Sequence, residues 1–204
     1  MIREPGIDIC DGTEMTCNLL MQALRLDRLV YPDEYQLEKD VAISYLKSHP
    51  EIYVFAMANN QLPGYLNISC IDEQCFTLLA QGQSNDLCIK ETNLLTASPA
   101  KKNKLYFSSI VVSPEHRHLG IATAMLESFA NKLLAQCSSG IVYSEIIADA
   151  ISEHGARLCE SLGMQKLNYS SHKSIVYGCQ FGCEPDKLSF PAFIKKMKGK
   201  QSYV

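Results

Sequence analysis

The chain has 204 residues, 47% of them hydrophobic, enough to close one core and too few for two full domains. Its 19 Lys and Arg stand against 22 Asp and Glu, so it has no basic field of the kind that grips a nucleic-acid backbone. No apolar run reaches the roughly 20 residues that cross a bilayer and the start MIREPGIDICDG lacks a secretory stretch, so a soluble, cytoplasmic protein without nucleic-acid or membrane partners is expected.

In chain order, Thr13 is placed to cap a helix through EMTCNLLMQALRLDRLV, stopped by Pro32. A second helix starts near Asp33 and carries Tyr35, Leu37, Val41, Ile43 and Tyr45 before Pro50. IYVFAMA and GYLNISCI flank NNQLPG and read as a hairpin with a loop of several residues. Residues 72–103 are the least regular stretch, with a short helix in EQCFTLLAQG ended by Gly82.

From Lys104 the pattern sharpens. LYFSSIVV is apolar toward both faces at its end, as a central buried strand requires. After SPEHRHLG, one row of Ile121, Met125, Phe129 and Leu133, with Ala122, Leu126, Ala130 and Leu134 beside it, marks a core-facing helix. IVYSEIIA is the next strand. Ser152 caps a helix with Gly155, Leu158, Cys159 and Leu162 on one face, and Gly163 ends it. MQKLNYSS and KSIVYGCQF close as a hairpin, and FIKKMKGK reads as a solvated helix end.

Nine cysteines, at 10, 17, 70, 75, 88, 137, 159, 179 and 183, form no C-x-x-C pair, so they read as small core hydrophobes in a reducing compartment, without metal. Cys179 and Cys183 come nearest to a metal clip, but no second ligand pair accompanies them.

The junction after the Ile110–Val112 strand end carries the chemistry. The first turn of a helix leaves N–H groups unpaired at its positive end. In RHLGIA, Gly120 and Ala122 keep side chains away, so a diphosphate can lie against backbone amides, with His118 and Thr123 as added donors and Arg117 either adding charge or bracing the loop.

These residues resemble the general-control-type N-acetyltransferase (GNAT) superfamily. Arg117, His118, Leu119, Gly120, Ile121 and Ala122 satisfy its Q/R-x-x-G-x-G/A motif in register. SEHGARLCESLGM is similar to the family's helix N-x-x-A-x-x-L-Y-x-x-x-G-F, and the likeness covers roughly 105–178. The resemblance implies an α/β fold, a single GNAT-type domain whose mixed central sheet, flanked by helices, has a splayed parallel strand pair. That domain spans 1–181, is best defined over 104–181, carries an insertion at 72–103, and precedes a C-terminal tail, 182–204.

The resemblance also implies acetyl-CoA as cosubstrate, with no metal, and direct acetyl transfer to a primary amine of a small molecule, peptide or protein. Backbone groups of Ile110, Val111 and Val112 would pair with the pantetheine arm, and amides from His118 to Thr123 would take the pyrophosphate. Ser152 stands where the family has an asparagine that contacts the arm. Cys159 replaces the tyrosine that protonates the leaving sulfur, and either donates that proton from its thiol or packs on the buried face of its helix; in the second case the thiolate leaves unaided or Tyr143, Tyr169 or Tyr177 substitutes. Glu145 is the candidate base, with a water chain ordered by Ser108 and Ser109 as the other route. Asp149 either touches substrate or caps the following helix. The competing function is an acyl-CoA-binding module without efficient transfer, which the replaced tyrosine would suit.

Overall fold

The computed structural model describes residues 6–171, 173–182 and 187–199. Cys183, half of the CQFGC reading, lies outside them. Eight strands share one sheet: β1 (Asp8–Asp11), β2 (Tyr53–Ala58), β3 (Gln61–Ile71), β4 (Leu94–Leu95), β5 (Lys102–Val112), β6 (Val142–Ala150), β7 (Gln165–Tyr169) and β8 (Ile175–Gln180). The order is β1-β2-β3-β5-β6-β8-β7, with β4 also on β3, and among these described strands β5 and β6 form the one parallel pair.

Both sheet faces are covered, which is why the central strands read as apolar throughout. Leu105, Phe107, Ile146 and Ala148 pack with α4 (Ile121–Ser138), α5 (Glu153–Ser161) and α6 (Phe190–Lys198). Tyr106 and Ile147, one residue out of phase, pack with α1 (Cys17–Val30), α2 (Lys39–Ser48) and α3 (Glu73–Ala80). The expected row on α4 is buried from Ile121 to Leu133, while Leu134 at its edge is exposed.

Two features of β5 position the site. Its pairing with β6 runs from Lys102↔Val142 to Phe107↔Ala148 and then stops. Ser109 to Val112 stay on β3, while Asp149 and Ala150 stay on β8, so the parallel strands part. At the same point Ser108 is an extra residue between the pairs Ile68↔Phe107 and Asn67↔Ser109. Such a bulge bends the strand and resets its alternation. Tyr106 and Val111, an odd number of residues apart, therefore pack into the same α1-side cluster.

Several local expectations change for identifiable reasons. The Asp11 carboxylate accepts the Thr13 amide and caps a 3-10 turn, so α1 starts later, with Thr16 as its cap in place of Thr13. Asp33–Tyr35 is a separate 3-10 turn, and α2 starts only at Lys39. The hairpin turn is the pair Asn59-Asn60, with φ 50° and 63°, so Gln61–Gly64 joins β3; asparagine tolerates the left-handed region that a two-residue hairpin turn requires.

The 182–204 segment supplies α6, whose Phe193 and Met197 are fully buried against the α4 face. Phe190 stacks on Tyr143 with ring centroids 5.4 Å apart. Phe193→Ala is expected to lower unfolding free energy by about 3–5 kcal/mol, the usual range for a buried phenylalanine, measured by urea denaturation.

Candidate active site

A cavity of about 440 Å³ opens where β5 leaves β6. Its walls are Ser108–Val112 of β5, the Ala148–Ala150 end of β6, the start of α5 and the inner side of α1. At one end it reaches Arg117 and His118, which also border a small hollow at the N-terminus of α4. Gly120 caps that helix in the left-handed conformation, φ 76°, without a capping side chain. The first helical bond is Ala124 N–H to the Gly120 carbonyl, 3.0 Å, so the amides of Ile121 and Ala122 have no acceptor inside the helix. The loop is braced by Ser113 Oγ and His116 Nδ1 at 2.7 Å and by the Ser113 amide on the Pro63 carbonyl. Bare amides, the helix dipole and two basic side chains together suit an anion.

The other end is acidic and hydroxyl-rich. Asp27, Asp86 and Asp149 line it, and so do six tyrosines. Tyr65 Oη donates to Asp27 Oδ1 at 2.6 Å and lies 3.2 Å from Ser109 Oγ, which is 2.8 Å from Tyr31 Oη. The bulge makes this chain possible by turning Ser109 toward α1 and β3. Burial raises Asp27 to about 6, against the opposing Tyr65 hydrogen bond and with Asp86 adding repulsion. Burial likewise takes Asp86 to about 6; Ser108 Oγ donates to its Oδ2 at 3.1 Å, and Asp149 repels it. The Tyr31 and Tyr65 phenols are pushed above the ordinary range, chiefly by burial and secondly by neighbouring groups including Asp27, so both stay neutral donors. Asp86 is held in place because its segment is tied to α2: Tyr45 donates to the Ile89 carbonyl, and Ser44 and Ser48 donate to Glu91.

The family model described as Acetyltransferase (GNAT) family matches residues 14–164. The chain belongs to that family. It is an N-acetyltransferase enzyme on that ground. Its fold is similar to the loading GNATL domain of CurA from Lyngbya majuscula, TM-score 0.60 at 11% identity, covering 84% of this chain and 96% of that one. It is also similar to Arabidopsis thaliana Naa50 in complex with a bisubstrate analogue, TM-score 0.55 at 15% identity, covering 86% and 99%. Drosophila melanogaster polyamine N acetyltransferase aligns at TM-score 0.56 and 12% identity, covering 86% and 100%. Comparison with curated protein sequences finds no match.

Within this GNAT fold, Ile110, Val111, Val112, Arg117, His118 and Ser152 line the cavity. Gly120, Ile121, Ala122 and Thr123 border the adjoining hollow, whereas Leu119 packs against the core. Ser152 Oγ accepts the Gly155 amide at 3.1 Å and so caps α5; Asp149, the other candidate cap, lines the cavity instead.

Cys159 lines the cavity too. Burial, with Glu160 and Asp149 adding to it, pushes its thiol up to about 12. Glu145 does not line it. Its carboxylate pairs with Lys104 Nζ at 2.9 Å, and Lys104 also holds Glu73 at 2.7 Å. Asp149, on the same strand face but four residues, about 13 Å, further along, is the carboxylate that reaches the splay. Of the tyrosines, Tyr143 donates to Gln136 at 2.7 Å and Tyr177 to Glu160 at 3.0 Å, while Tyr169 is 69% exposed beneath Lys166; none lines the cavity.

The residues that do, Asp27, Tyr31, Tyr65 and Asp86, were missed by motif and spacing. Asp27 had one legible signal. It lies at i+7 of the apolar row Leu20, Ala23, Leu24, a position where a carboxylate must be buried.

Raised folded-state values for Asp27 and Asp86 mean that the native protein holds more protons than the unfolded chain between about pH 4 and 6. Their contribution is most favourable below the unfolded value and is lost as pH rises through the folded one. Asp27→Asn and Asp86→Asn are each expected to lose less stability than wild type between about pH 4 and 7, by about 1–3 kcal/mol, measured by urea unfolding at fixed pH.

Proposed function

We propose that the chain transfers the acetyl group of acetyl-CoA directly to a primary amine in the cleft between β5 and β6. The observation that carries this reading is one continuous cavity linking the basic, amide-rich start of α4 to the carboxylates and hydroxyls under α1. The residues present fit the cosubstrate: a side-chain-free helix cap for a diphosphate, and a β5 edge from Ile110 to Val112 that β6 leaves unpaired. When bound, acetyl-CoA supplies an activated acyl thioester.

The amides after Gly120, with Arg117 and His118, hold the anionic end. The edge of Ile110–Val112 aligns the arm as a neighbouring strand would, and Ser152 fixes α5 beside it. The acceptor nitrogen has to lose a proton as it attacks. Ser109 Oγ takes that proton, passes its own to Tyr65 Oη, and Tyr65 passes its own to Asp27, along contacts of 3.2 and 2.6 Å. Tyr31, 2.8 Å from Ser109 Oγ, keeps that hydroxyl oriented. Cys159, held as a thiol, is a weak acid for the departing sulfur. That feature favours the competing reading, an acyl-CoA-binding module, and thiol release distinguishes the two.

Calorimetric titration with acetyl-CoA is expected to show binding that Gly120→Glu weakens by at least about 100-fold, since a side chain and a negative charge then fill the anion site. Thiol release over an amine panel is expected to follow binding; binding without release on any amine would reject transfer. The acid limb of kcat/KM should fall below about pH 6, where Asp27 gains its proton. Asp27→Asn should remove that limb and lower kcat about 10²–10⁴-fold, while Glu145→Gln and Tyr143→Phe stay within a few-fold of wild type.

A further inference from the structure

The excursion between β3 and β5 brings together two thiols that the transfer chemistry does not use. Its ends are closed by the pair Ile71↔Leu94 and by the Asp72 amide on the Asn93 carbonyl at 3.0 Å, so the chain leaves and rejoins the sheet at one place. Cys75 lies in the first turn of α3, where its amide donates to Asp72 Oδ1 at 2.8 Å. Cys88 ends the 3-10 turn Asp86–Cys88, its amide on the Asn85 carbonyl at 3.2 Å. Both pack into the α1-side cluster, and their side chains are in hydrogen-bonding contact, thiol to thiol. Both are free cysteines.

Two thiols that packing already holds in contact need little further chain ordering to be joined. They differ in access. Cys88 is partly exposed, whereas Cys75 is 4% exposed and its thiol is pushed up to about 12, first by burial and then by Cys88. A small reagent therefore meets Cys88 first, and Cys75 stands behind it to resolve the product.

The turn that carries Cys88 also forms part of the cavity wall, through Asp86 and Leu87, with Ile89 following. The Asp86 carboxylate is approached by the amides of Asp86 and Leu87 and accepts the Ser108 hydroxyl at 3.1 Å, so it moves with the turn. Ile89 is pinned by Tyr45 on its carbonyl, and Cys75 by α3, whose Phe76 and Leu79 are buried. A disulfide brings its sulfurs to about 2.05 Å, on the order of 1 Å or more inside a thiol–thiol contact. The three-residue turn is the part left to take up that movement.

We infer that Cys75 and Cys88 form a reversible disulfide site, closed by exchange with a low-molecular-weight disulfide such as oxidised glutathione, and that closing it draws the Asp86–Cys88 turn off the cleft wall. The Cys88 thiolate attacks one sulfur of the reagent, which releases one glutathione and leaves a mixed disulfide. Cys75 then gives up its proton, and its sulfur displaces the second glutathione from Cys88. Two protein thiols are oxidised to one S–S bond, the reagent is reduced to two thiols, and the two protons end on those thiols. The site stands independently of the transferase reading, and its effect on turnover rests on that reading.

The test incubates the whole native protein with oxidised glutathione at about pH 8, removes the reagent, and maps peptides by mass spectrometry without reduction. The expected result is a cross-linked Cys75–Cys88 peptide pair, about 2 Da lighter than the two free peptides, that dithiothreitol reverses and Cys88→Ser abolishes. Cys75→Ala serves in its place where Cys88→Ser does not fold. Loss of the acetyl-CoA thioester in the presence of an amine reads transfer. On oxidation kcat/KM is expected to fall at least about 10-fold and to recover on reduction, while oxidation leaves Cys88→Ser unaffected. Glutathione retained on Cys88 without a cross-link overturns the inference, and so does a cross-link that forms only after denaturation. A cross-link that leaves kcat/KM unchanged overturns the control of the cleft. Should no amine be acetylated, the transferase reading fails, and the cross-link in the native protein alone supports or overturns the site.

Discussion

The parting of β5 from β6 is the constraint on which the rest depends. Parallel neighbours ordinarily satisfy each other's backbone groups, and buried unsatisfied groups are expensive. Here the pairing stops at Phe107↔Ala148 while both strands run on, each held only by its outer neighbour. The bulge at Ser108 bends β5 at that point and turns Ser109 toward Tyr31 and Tyr65. One irregularity thus opens a cleft, leaves a strand edge for a ligand to pair with, and aims a hydroxyl chain at the opening.

Charge is divided along the cleft. Arg117, His118 and the start of α4 lie at one end, and Asp27, Asp86 and Asp149 at the other. The acidic end works against folding at neutral pH, because three carboxylates share a partly dry space without a lysine or arginine among them. The sheet and helices around them supply compensating stability through two large apolar clusters, one on each face.

The family helix and the glycine turn at Gly120 were legible because they depend on short-range geometry. RHLGIA fixes a strand–turn–helix junction within a few residues, and Ser152 caps its helix as its spacing indicates. Which β6 carboxylate reaches the cleft was harder to read because it depends on where a strand stops pairing. Glu145 has the right residue type and the right face of β6, but it lies before the splay, where Lys104 on the parallel strand meets it. Four residues later the same face points into the cleft, and Asp149 is there.

By itself the sequence determined the β5–α4–β6–α5 unit, its core-facing rows and the amide-rich turn at Gly120, since helix period, strand length and glycine conformation are local properties. Only the tertiary structure decided which carboxylates share the cavity. Asp27, Asp86 and Asp149 come from α1, from the 72–103 segment and from β6, and long-range packing brings them together. It also made α6 part of the core, because the burial of Phe193 depends on the α4 surface that receives it, which its own neighbours in the chain do not specify.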